Sequence, residues 1–106
     1  MDKVSIPKKL SLFNDYWNPR IVGELNGQYV KLVKFQGKFV WHKHEHEDEF
    51  FYVIDGLLHI DLEDKTFDLH PGQGFMVPKG VSHRTRAPQR TSILMVEGKT
   101  VTPTGD

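Results

Sequence analysis

Apolar and polar positions alternate along most of the chain, and the alternating runs are short. Val, Ile, Phe and Tyr fill many of the apolar positions, while glycine, proline and Asn/Asp-Gly pairs interrupt them at close intervals. Period-two runs bounded by turn residues predict short strands, and several such strands in succession predict a sandwich or barrel. No segment sustains a helical period. One turn within Ser11 to Trp17 is the most the pattern allows. The chain therefore reads as all-β with little or no helix, without an internal repeat, a low-complexity tract or a linker.

Two turns stand out. Asn26-Gly27 separates Ile21–Leu25 from Gln28–Phe35, and Asp55-Gly56 separates Phe50–Ile54 from Leu57–Leu62. Two-residue loops of this composition favour type I′ hairpins, because both central residues tolerate positive φ. If the second is a hairpin with Ile54 opposite Leu57, then Val53 faces Leu58, Phe51 faces Ile60 and Glu49 falls opposite Leu62. Side chains alternate along a strand, so these six share one face, apolar except for the single carboxylate. His59 and Asp61 point the other way.

The segment before Glu49 carries 41-WHKHEHEDEF-50, with three of the chain's six histidines at alternate positions. If a strand runs through it, Lys38, Val40, His42 and His44 share one side, and Phe39, Trp41 and Lys43 share the other. Both imidazoles then project to one side, and Glu49 arrives after a short reversal. Three potential metal ligands surround one point.

Length and charge narrow the reading. At 106 residues the chain is sized for one domain. Lys+Arg and Asp+Glu are 14 each, so the net charge is zero. Such a balance supplies neither the basic surface that nucleic acid requires nor a membrane-binding patch. With no cysteine, thiolate zinc sites and cysteine nucleophiles are excluded, and any metal must sit on nitrogen and oxygen. MDKVSIPKKL lacks the apolar run of a signal peptide, and no window reaches membrane-span length, so a cytoplasmic protein is expected.

A second stretch, 72-GQGFMVPKGVSH-83, completes a spaced pattern. Gly37, His42, His44, Glu49 and Gly56 give G-x4-H-x-H-x4-E-x6-G. Gly72, Pro78, Gly80 and His83 give G-x5-P-x-G-x2-H. Together they resemble the two-motif signature of the cupin superfamily in its small single-domain form, over about Gln28 to Glu97. Gly37 stands one residue closer to the H-x-H than the usual pattern, and Ala87 replaces an asparagine often found after the second-motif histidine.

The resemblance implies a single-domain jelly-roll β-barrel with a metal inside, ligated by His42, His44, Glu49 and His83. Residues 1–27 would form an arm and first hairpin, 28–97 the barrel, and 98–106 a polar tail. Nitrogen and oxygen donors suit iron, manganese, nickel, cobalt, copper or zinc and disfavour calcium. Such a shell on an octahedral ion leaves two positions open, and one net positive charge favours an anionic chelating small molecule.

The remaining candidates have plainer readings. His46 also makes an H-x-H with His44, but it lies among Glu45, Glu47 and Asp48 and reads as a solvated loop residue. His59 and His70 read as structural or exposed. Arg84, Arg86 and Arg90 read as a solvated strand face. Val40, Phe51 and Thr85 share the parity of the ligands and are expected to line a substrate pocket. Phe39, Trp41, Phe50, Tyr52 and Ile54 should point outward, which is much aromatic area for a monomer; the second sheet, an N-terminal arm or a second copy should cover it, and a homodimer is expected. Three functional classes fit: a dioxygenase, a Lewis-acid isomerase, cyclase or decarboxylase of the mannose-6-phosphate isomerase-like kind, and a non-catalytic ligand-binding or sensor domain.

Overall fold

A computed structural model describes residues 2–101 and 105. Its elements run α1 (Ile6–Leu10), β1 (Arg20–Leu25), β2 (Gln28–Lys38), β3 (Glu49–Asp55), β4 (Leu58–Asp61), β5 (Thr66–Leu69), β6 (Gly74–Val77) and β7 (Arg84–Gly98). The fold is mostly strand with one short helix. That helix lies before Ser11, not within Ser11 to Trp17. Pro7 sits in its first turn, where a fixed φ and a missing N–H cost nothing. Buried Lys34 ties its end to the sheet, donating to the carbonyls of Leu10 and Phe13 at 2.7 and 2.6 Å.

The strands form one folded-over sheet in the order β1-β2-β7-β3-β6, with β4 also pairing β7 and β5 pairing β4. Among the described residues this path does not close into a ring. Phe67 of β5 and Phe75 of β6 meet with ring centroids 4.6 Å apart across the gap. The first predicted hairpin is present: Leu25 pairs Gln28, and Asn26 and Gly27 have φ of 49° and 75°.

The second predicted hairpin is not. Along β7, β3 pairs from Glu49↔Glu97 to Asp55↔Ser92, and β4 follows on the same strand with His59↔Arg86 and Asp61↔Arg84. The chain turns a corner at Asp55-Gly56 and continues in the same direction. The register against β7 shifts here in β2 as well as in β3. In β2, Gln36 alone stands between Phe35↔Thr91 and Gly37↔Ala87, opposite three residues of β7. Sheets fold over at such bulges. The predicted facing nevertheless holds, because the corner shifts the inward positions from odd to even as a two-residue turn does. Glu49, Phe51, Val53, Leu58 and Ile60 are all buried, and Leu62 packs partly buried against the same core.

Gly56 is required at this corner. Its φ is +93°, and a Cβ there would lie 2.3 Å from Thr91 Oγ1 and 2.8 Å from Thr91 Cα. Thr91 Oγ1 accepts from Leu57 N at 3.1 Å, which pins the corner to β7. Inside the fold, Val33, Phe35, Phe51, Val53, Leu58, Ile60, Ile93 and Met95 belong to one core cluster. Fully burying each such side chain contributes roughly 1.5–3 kcal/mol.

Candidate metal centre

β2 ends at Lys38, so the strand expected through His44 is a loop held by scattered backbone bonds. Phe39 N donates to Thr85 O, His42 and His83 exchange both backbone bonds, and Gly80 N donates to His44 O. The loss of regular alternation corrects two expectations. Phe39 turns inward, against His42 with centroids 5.5 Å apart. Val40 turns outward and is 52% exposed. Trp41 stays outside under the Arg84 guanidinium.

The four metal candidates converge. His42, His44, Glu49 and His83 each offer a donor atom, and these atoms lie within 4.8 Å of one another. His44, Glu49 and His83 are buried and His42 is half-buried. Glu49 Oε1 lies 3.1 Å from His44 Nε2 and 3.2 Å from His83 Nε2. Neighbouring donors bonded to one ion at about 2.0–2.2 Å stand about 3 Å apart, so these separations fit a shared centre.

Protonation agrees. His42 Nδ1 lies 2.9 Å from Val40 O, and His83 Nδ1 lies 2.9 Å from Val81 O. A carbonyl only accepts, so each Nδ1 carries a hydrogen, and the neutral form of each ring then presents an Nε2 lone pair to the centre. Glu49 Oε1 and His83 Nε2 are buried without a hydrogen-bond partner. Buried acceptors facing one another are costly, and a cation between them converts them to ligands. Burial also pulls the His42 pKa down, keeping that ring neutral.

A fifth polar residue, Glu97, was missed. It is 3% exposed and pairs with Glu49 across β3 and β7. Its carboxyl hydrogen-bonds that of Glu49 and contacts Lys31 Nζ at 2.5 Å. Burial and then the Glu49 carboxyl push its pKa up to about 7, against the pull of Lys31. Burial pushes Glu49 up too, but the His83 ring, the Glu97 carboxyl and His44 together hold it down to about 2. The proton of the pair therefore sits on Glu97. Its signal was present in the sequence: Ile93, Met95 and Glu97 alternate, placing a carboxylate at an inward position of an apolar face.

A narrow cavity opens beside the cluster. His42, Glu49 and Glu97 are its charged or imidazole groups, Thr85 supplies a hydroxyl, and aromatic and aliphatic side chains including Phe51 make the remaining wall. Phe51 and Thr85 thus line it, and Val40 does not. His46 is exposed and outside the cluster. His59 faces away, with Nδ1 2.6 Å from Asp68. His70 is exposed at its turn, where its backbone N–H donates to Gln73. Arg84 and Arg86 clamp buried Asp61 at 2.9–3.0 Å, and Arg90 donates to Asn14. None of the three lines the cavity.

The chain belongs to the cupin family: the cupin domain matches residues 29–97. It is 43% identical over 79 residues to the Bacillus subtilis protein YdbB, covering 74% of this chain and 70% of that one. It is 44% identical over 69 residues to the Streptomyces cyaneus protein CurC, named a polyketide synthase, and spans 45% of that protein's length. A solved cupin-2 domain protein from Shewanella frigidimarina superposes with a TM-score of 0.89 at 40% identity, covering 91% of this chain and 94% of its own.

Proposed function

We propose that this cupin is a metal-dependent protein acting on a small molecule, with His42, His44, Glu49 and His83 as ligands. The observation that carries the reading is the buried convergence of their donor atoms, with imidazole tautomers already set for ligation. The donor set suits a divalent transition ion such as iron, manganese, nickel, cobalt, copper or zinc. When bound, such an ion supplies Lewis acidity or, as iron, oxygen chemistry.

The chain's own residues supply the rest. Val40 O and Val81 O hold the His42 and His83 rings in orientation. Phe39, Phe51 and their neighbours give the cavity a largely carbon wall. That wall favours a dioxygenase-like reading. A second reading, a Lewis-acid isomerase, cyclase or decarboxylase, draws on Glu97. This cavity-lining carboxyl is not among the ligands, and its raised pKa suits it to give or take a proton. A phosphorylated sugar would need a cationic anchor, and no Lys or Arg is among the described lining residues. Likeness to CurC fits a small-molecule substrate rather than a macromolecule.

Iron-loaded protein offered a panel of chelating substrates should consume dissolved oxygen. Turnover by the zinc- or manganese-loaded form, with no oxygen uptake by the iron form, would select the second reading. Metal affinity should fall as pH drops through about 6.5, where free histidines protonate. Flat affinity down to about pH 5 would contradict imidazole ligation.

A further inference from the structure

The family match begins at residue 29, yet part of the cavity wall comes from before it. Trp17 and Pro19, in the arm between α1 and β1, both line the cavity. Trp17 has φ +61°, a left-handed conformation that a bulky residue rarely adopts. Such an outlier persists only where its surroundings enforce it. Here they do. Trp17 N donates to Lys34 O at 2.9 Å and Trp17 Nε1 to Gln36 O at 3.0 Å. On either side, Asn18 donates to Asp15 at 2.8 Å, and Arg20 pairs with Asp15 and donates to Asn18 O. The indole lies nearly parallel to Phe35 and to Phe39, at centroid distances of 4.2 and 5.0 Å.

We propose that Trp17 is a specificity-determining residue: it makes the cavity select a small ligand that offers oxygen to the centre and a carbon body to the wall. This rests on the metal reading above. The arm knot holds the indole against Phe35 and Phe39, and together they form an aromatic boundary to a cavity whose polar groups come from the cluster, Glu97 and Thr85. No Lys or Arg lines the cavity among the described residues, so a dianionic phosphate finds no cationic side chain there. An oxygen chelator with an apolar, uncharged body meets both halves. Burying carbon against aromatic rings adds affinity that a bare chelating group cannot gain.

Two chelators separate the wall from the metal. Tropolone carries a carbon ring behind its two oxygens, whereas oxalate chelates with almost no body. In Co(II)-loaded protein, followed by its visible spectrum, Trp17→Ala should weaken tropolone about tenfold. Oxalate and Co(II) affinity should stay within about twofold, and Trp17→Phe should recover most of the tropolone binding. Equal weakening of both chelators, or of neither, overturns the proposal, as does tighter binding of mannose 6-phosphate than of tropolone.

Should Trp17→Ala fail to fold, Trp41→Phe leaves Trp17 as the one indole of the chain, and its emission reads the wall directly. Trp41 is 46% exposed and outside the cavity. Tropolone should change that emission and oxalate should not; no change with tropolone overturns the proposal. Failure of Co(II) to bind in the first titration would count against the metal reading. The emission measurement on metal-free protein then decides for or against the wall separately.

Discussion

At the residue scale, the cluster is recognisable from what each atom can donate or accept. Val40 O and Val81 O oblige Nδ1 of His42 and His83 to carry hydrogens, so in the neutral rings both Nε2 atoms face the centre as acceptors. Glu49 was legible in the sequence because it interrupts an apolar face, a position that is costly unless a partner waits there. Glu97 obeys the same rule, but its partner strand was not deducible from any local turn. The Glu49–Glu97 pair has a measurable consequence in protein stripped of metal. Glu97 titrates about pH 7 when folded, against an ordinary 4.5, so the folded state holds the extra proton between those values. Stability from this group is complete below about pH 4.5 and is lost as pH rises through 7. In chemical denaturation of the metal-free protein that decline is superposed on the opposite slope of His42, whose pKa burial lowers, and comparison with a variant isolates it. Glu97→Gln, which cannot ionise, should flatten it by on the order of 2 kcal/mol. An unchanged slope in the variant would place the proton elsewhere.

At the scale of elements, alternation within each strand was readable, but the direction of the chain between strands was not. Asp55-Gly56 has the composition of a hairpin, yet β3 and β4 lie end to end along β7. The local residues specify a positive φ at Gly56. Whether the chain then reverses or turns a corner depends on Thr91 and on the matching bulge in β2, far away in sequence. Phe39 and Val40 exchange faces for a related reason: β2 has ended, and alternation no longer binds them. The corner can be tested directly. Gly56→Ala forces a Cβ against Thr91 and strains the backbone, costing about 2–4 kcal/mol. For a domain of this size that lowers Tm by roughly 10 °C or more. A calorimetric shift of only a degree or two would show that the corner tolerates a side chain.

At the scale of the whole molecule, the arm covers part of the outer sheet face, with Phe13 buried beneath Arg20 and Lys34. The uncovered part is apolar: Met76 is 64% and Tyr52 37% exposed, with Phe50 and Val96 half-buried between their strands. A second copy of the chain is the occupant we infer for that face, so light scattering should report a homodimer that Met76→Glu weakens at least tenfold. A monomer at micromolar concentration would contradict it. The four-residue cluster was the most legible feature of all, because motif spacing supplied His83, which strand parity alone did not reach. Its convergence is also the claim on which the functional reading depends. The direct test is metal content, by mass spectrometry, of untagged protein loaded with a divalent transition metal and then dialysed. Native protein and His59→Ala should each retain about one ion per chain, and His44→Ala little or none. Equal retention in all three, or none in the native protein, would contradict a shared centre.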